Sequence, residues 1–221
     1  MAIAFDTSLS LTGDPIATSH TFSYTCTGSN RALVVAFSGS ASSDNCTGVT
    51  YNGVSMTQIS KMAPGSGSTG SDRWRYLYLL INPASGSNNI VISYSSAEFV
   101  FGGASSYTGV SQTGQPDAQT TGSNASATSF TQSITTVADN CWIIEWVTDE
   151  VYNASQGTNT VVRCYTDGTS PVYIADSNGA KTPAGSHSLN LTTATTTNWG
   201  ALILSLAPAT DVANSGFFNF M

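Results

Sequence analysis

The sequence predicts an all-β fold, a two-sheet jelly-roll-like β-sandwich with an extended C-terminal arm. Three observations carry the prediction. Apolar residues alternate with period two in short runs, as in "ALVVAFSGS", "RWRYLYLLI", "NIVISYSS", "CWIIEWVT", "NTVVRCYT" and "WGALILSLA"; no helical stripe of useful length appears. Turn signals separate the runs at intervals of about ten residues. At 221 residues with 9% charged side chains, one sizeable domain with a hydroxyl-rich rather than ionic surface is expected.

The elements follow in order. "YNGV" around Asn52-Gly53 has the composition of a type I′ hairpin turn. In "RWRYLYLLI", Trp74, Tyr76 and Tyr78 share one face of a strand and Arg75, Leu77 and Leu79 the other; with both faces apolar, this strand is expected to be central. "INPASGSNN", "DSNG" and "TPAGS" read as loops and turns. Two stretches, Met62–Asp72 and Thr113–Ser129, are small, polar and Gly-containing and are expected to be exposed loops. No fixed-period internal repeat is visible. Trp199–Leu206 reads as the last strand, closed by Ala207-Pro208 because proline lacks a ladder donor. The sandwich is therefore assigned to residues 1–210 and the aromatic arm to 211–221.

Charge narrows the function classes. A net charge of -7 with six dispersed basic residues excludes nucleic acid as a direct partner, and no polybasic patch or long apolar helix suggests a membrane. "MAIAFDTSLS" lacks the basic and apolar regions of a secretory signal, which implies folding in a cytoplasm or prior removal of a signal. Cys26, Cys46, Cys141 and Cys164 match no zinc spacing. They are expected to be buried thiols, with a bridge such as Cys26–Cys46 as the alternative.

The order of "VTYNGVSMTQI", "WRYLYLLINPASGSNNIVISYS", "GGASSYTGVSQTGQPD", "ADNCWIIEW" and "DSNGAKTPAGSHSLNLTTATTTNWGALILSLAPA" resembles a loosely defined group of β-sandwich proteins. These occur in bacteriophage structural modules and among uncharacterised bacterial proteins. The likeness runs from Val49 to Pro208 and consists of the Tyr-Asn-Gly hairpin, the stretch Tyr107–Thr113 and a Trp-led final strand at Trp199. It implies a structural role in a virion and carries no catalytic residues.

No catalytic signature stands out. His20 and His187 lie in Thr/Ser-rich segments that read as exposed strand, and no Gly-x-Ser-x-Gly elbow or paired metal-binding His occurs. Glu145 is the one acid within a strongly apolar strand, sharing a face with Ile143 and Val147 while Trp142 and Trp146 point the other way. Burial there would raise its pKa as a general acid requires; the alternatives are a rim position or pairing with Arg163. "DSNG" begins like a calcium loop but lacks the later acid, and Asp149 and Glu150 are the remaining acids suited to a calcium site built from loops.

The expected function is thus a non-enzymatic virion structural protein without cofactor, a capsid decoration or tail or fibre component. It folds in host cytoplasm, contacts capsid or tail proteins and forms a homo-oligomer, with a trimer favoured. Phe217, Phe218, Phe220 and Met221, in "SGFFNFM", are the expected assembly contact. The alternative is a carbohydrate-binding module or receptor-binding fibre head that stacks a glycan on Trp74, Tyr76 and Tyr152. A glycan-active enzyme built on Glu145 is a third reading.

Overall fold

Runs of β-branched and aromatic residues pack well on a pleated surface and crowd a helix, and among the described residues all thirteen elements are strands: β1 (Ala4–Cys26), β2 (Ala32–Ser38), β3 (Cys46–Tyr51), β4 (Val54–Ser55), β5 (Thr57–Met62), β6 (Arg75–Ile81), β7 (Gly86–Thr108), β8 (Ala118–Thr135), β9 (Trp142–Thr148), β10 (Ser155–Gln156), β11 (Val161–Thr166), β12 (Val172–Asp176) and β13 (Ser186–Leu206). The computed structural model describes residues 1–39, 42–64, 73–148, 154–166 and 172–210, with the backbone alone at 13–15. Two antiparallel sheets pack against each other, as a two-sheet sandwich requires. One has the order β4-β3-β7-β2-β6-β5 with β1 along β7; the other has the order β10-β13-β9-β12-β11 with β8 along β13.

Apart from β4, which only the first sheet has, the two orders are the same. β1, β2, β6 and β7 correspond to β8, β9, β12 and β13, and β3 and β5 to β10 and β11. Each sheet is built on one long ladder, β1 on β7 or β8 on β13, broken by register shifts near its middle. Such irregularities bend a ladder, so one half of each long strand carries β2 or β9 and the other half carries β3 or β10. Each sheet thereby folds over a core of its own. The first encloses Leu33, Val35, Phe37, Tyr76, Tyr78, Ile90 and Ile92; the second encloses Phe130, Ile143, Val147, Tyr173, Leu191 and Trp199.

The repeat is hidden in the sequence because its spacing is not constant. Ala32 and Trp142 are equivalent and 110 positions apart, whereas their ladder partners Tyr107 and Leu206 are 99 apart. Loops of different length in the two halves erase the period.

A third core joins the sheets back to back. It contains Ala32, Val34 and Ala36 of β2 and their equivalents Trp142, Ile144 and Trp146 of β9, with Leu77, Leu79, Ile174, Leu202 and Leu204. At these three β2/β9 pairs the first sheet contributes the smaller side chain and the second the larger. Gly103 belongs to this match, since a Cβ there would lie 2.6 Å from Cys164 Sγ and 2.8 Å from Ile174 Cδ1. Overpacking of this kind costs about 1 to 3 kcal/mol, so Gly103→Ala is expected to lower stability by that much in urea titration. A neutral result would show that the two sheets can separate locally.

Several expectations are met and two are corrected. Asn52 and Gly53 have φ of 50° and 74° in the turn joining β3 to β4, as a type I′ turn demands. β6 is central, between β2 and β5. Thr113–Ser129, expected to be a loop, is strand from Ala118 onward; it lacks apolar alternation because pairing with β13, not burial, holds it. The final strand begins at Ser186, well before Trp199.

Candidate functional site

Trp74 and Tyr76 do not form an open stacking surface. Tyr76 is only 1% exposed, as an interior strand between two neighbours dictates, and its hydroxyl donates to Asp44 Oδ1 at 3.0 Å. Trp74 is half-buried, stacked on Tyr76 at 6.4 Å between centroids. Its other flank carries Lys61 Nζ at 5.2 Å, Lys61 being paired with Asp44, and its Nε1 donates to the Ser42 carbonyl at 2.9 Å. Tyr152, Phe217, Phe218, Phe220 and Met221, together with Asp149 and Glu150, lie outside the described residues. Tyr165, which the sequence reading passed over, is 58% exposed and lies against Tyr173 at 6.1 Å. The alternation of "NTVVRCYT" sets it on one face with Arg163 and Val161 but is silent on whether that face is covered.

Glu145 is fully buried, and neither carboxylate oxygen has a hydrogen-bond partner. It stands at the position equivalent to Val35 of the first sheet, between Ala175 and Ile203 on the neighbouring strands. Neither a rim site nor an Arg163 pair describes it, because Arg163 bonds Asp176 instead. Desolvation pushes its pKa up to about 8. A general acid also needs a second group and access for substrate, and the described residues surrounding it on the ladder are apolar.

Asp176 opens the "DSNG" turn at the end of β12 and binds the two halves together. Arg163 donates through Nε to Oδ2 at 2.7 Å and through Nη2 to Oδ1 at 2.9 Å. Tyr107 of the first sheet donates its hydroxyl to Oδ2 at 3.1 Å, and the Asn178 amide donates to Oδ1 at 2.9 Å. The Arg163 guanidinium lies 4.2 Å from the centre of the Phe5 ring. These partners use the acid structurally, and no cluster of three or more metal-ligating side chains occurs among the described residues.

His20, expected to be exposed, is buried at 7% because it fills the bend of β1. Its Nε2 donates to the Glu98 carbonyl at 2.8 Å, and His187 sits on the other sheet, so the two do not meet. The four cysteines are unbridged, in line with the buried-thiol expectation for Cys26 and Cys141; Cys46 and Cys164 are partly buried. Burial pushes Cys141 and Cys164 up to about 12. Thiol titration should therefore find slow reaction in the native protein and four groups in denaturant; immediate reaction of all four would contradict the packing.

β8 gives the second sheet a long exposed strand. Among the described residues it pairs only with β13, and in its first half Gln119, Thr121 and Ser123 are exposed. Its 18 residues, "AQTTGSNASATSFTQSIT", contain no charge and no proline. Asp117 just ahead of it is held inward, accepting from the amides of Val137 and Ala138 at 2.9 Å and from Ser205 Oγ at 3.0 Å. No protein-family model, curated protein or solved structure matches the chain.

Proposed function

We propose that this chain is a non-catalytic structural protein of a virus particle, a capsid decoration or a tail or fibre component, that works through protein-protein contacts. The observation that supports it best is β8, a long uncharged strand edge facing outward. Folded proteins usually blunt such edges with charge, proline or a covering element, because an unpaired ladder attracts another chain. The Asp176 carboxylate is taken up by Arg163, Tyr107 and the Asn178 amide, and the hydroxyl-rich surface suits close contact between neighbours. The virion assignment rests on the resemblance of the strand and turn motifs.

The direct test is immunogold electron microscopy of particles released from lysed source cultures, with antiserum against the purified chain. Regularly spaced label on particles is the expected result; label confined to soluble protein or cells would overturn the reading. Phe217, Phe218, Phe220 and Met221 are assigned to particle attachment. Ending the chain after Thr210 should abolish attachment and leave the melting temperature unchanged. Attachment of the shortened chain, or a destabilised fold, would remove the arm from the contact.

Tyr165 favours one second reading, a glycan-binding head. An exposed ring backed by another suits stacking on a sugar face. On a glycan array, Tyr165→Ala should then erase any signal.

A further inference from the structure

We propose that two copies of this chain pair through the first half of β8, residues Ala118–Asn124, antiparallel about a two-fold axis near Thr121. The inference deepens the protein-contact reading above and rests on it.

The structure contains its own control. β1 occupies in the first half the place that β8 occupies in the second, each pairing only with one long central strand. β1 carries Asp6 and three register shifts, features that discourage edge pairing. The outer strands β5 and β11 carry Lys61 and Arg163 and one shift each, and β4 and β10 are two residues long. Of the edges among the described residues, β8 alone is both long and free of charge. Identical architecture with opposite edge chemistry points to an edge that is used.

A second copy fits this edge better than other occupants. Ala118–Asn124 pairs with Trp199–Ser205 without a register shift, so its outer side presents a regular row of donors and acceptors. An antiparallel row is self-complementary across a two-fold. The chain has net charge -7, and copies repel one another unless they meet where charge is absent. Small Thr, Ser and Gln side chains also form favourable cross-strand pairs with their own kind, whereas apolar arm residues would find no pocket among them. Ser126, at φ 49°, bends the strand beyond Asn124 and limits the straight ladder to the first half.

Analytical ultracentrifugation of the full chain decides the matter. The wild type should sediment as a dimer. Gln119→Lys with Ser123→Lys should weaken dimerisation at least about tenfold with unchanged far-UV circular dichroism, although these changes lower the net negative charge. The matched pair Thr131→Lys with Ser133→Lys, on the second half of β8, should leave the dimer intact. Thr121→Cys should give a disulfide-linked dimer on mild oxidation, beyond what the wild type gives, and this readout stands even if the lysine variants misfold. A monomeric or trimeric wild type, a dimer that survives lysine at 119 and 123, dissociation by lysine at 131 and 133 instead, or no link through residue 121 would each overturn the proposal. Particle labelling is independent: labelled particles with a monomeric protein would sink the β8 dimer alone, and a β8 dimer absent from particles would sink the virion reading alone.

Discussion

Asp176→Ala is expected to destabilise the protein by about 3 to 5 kcal/mol, since breaking a buried ion pair from one side leaves the other charge uncompensated. Asp176 is fully buried and Arg163 is 14% exposed at its side chain, so water does not replace the lost carboxylate. The Tyr107 hydroxyl, which donates to the same carboxylate across the two sheets, is orphaned in the same step. The loss should appear in urea titration as a lower midpoint. Combining Asp176→Leu with Arg163→Met should recover much of it, because a packed apolar pair carries no desolvation cost. The double variant separates a charge effect from a packing effect. A loss below about 1 kcal/mol for Asp176→Ala would show that the two halves are held by their apolar core alone.

The second large effect is a dependence on pH centred on Glu145. Its folded pKa is raised from 4.5 to about 8 by burial, while the unfolded chain titrates near the ordinary value. Between these values the folded protein holds a proton that the unfolded one has released. The contribution of Glu145 to stability is therefore fully present below about pH 4.5, falls as pH rises through the window and is lost above about 8. The total change is on the order of 5 kcal/mol. Glu145→Gln should remove the slope, and Glu145→Val, which copies Val35 at the equivalent position, should exceed the wild type most at pH 8. Melting curves of the three proteins from pH 5 to pH 8 test this. Parallel curves would mean that the carboxylate finds water or a partner when it ionises.

Much of the fold was legible because side-chain alternation is a local property. Period two in "CWIIEWVT" put Trp142 and Trp146 on one face and Glu145 with Ile143 and Val147 on the other, and the structure keeps that division between the central core and the second sheet's own core. The "YNGV" turn was legible for the same reason, since its backbone is dictated by Asn52 and Gly53 themselves. The Trp74 and Tyr76 platform was not: alternation says which residues share a face but not what lies opposite. Lys61, Asp44 and Ser42, which close that face, come from other segments.

By itself the sequence determined the strands, their faces, the low charge and the absence of a catalytic signature, all of which follow from residue type and near-neighbour spacing. Only the tertiary structure decided which strands lie at edges, that Thr113–Ser129 contains a strand rather than a loop, that Asp176 rather than Glu145 takes Arg163, and that the chain repeats its topology. Each of these depends on hydrogen-bond partners distant in the chain. The first half of β8 has no apolar pattern of its own; it becomes a strand because β13 offers a ladder, and an edge because nothing among the described residues pairs with its other side.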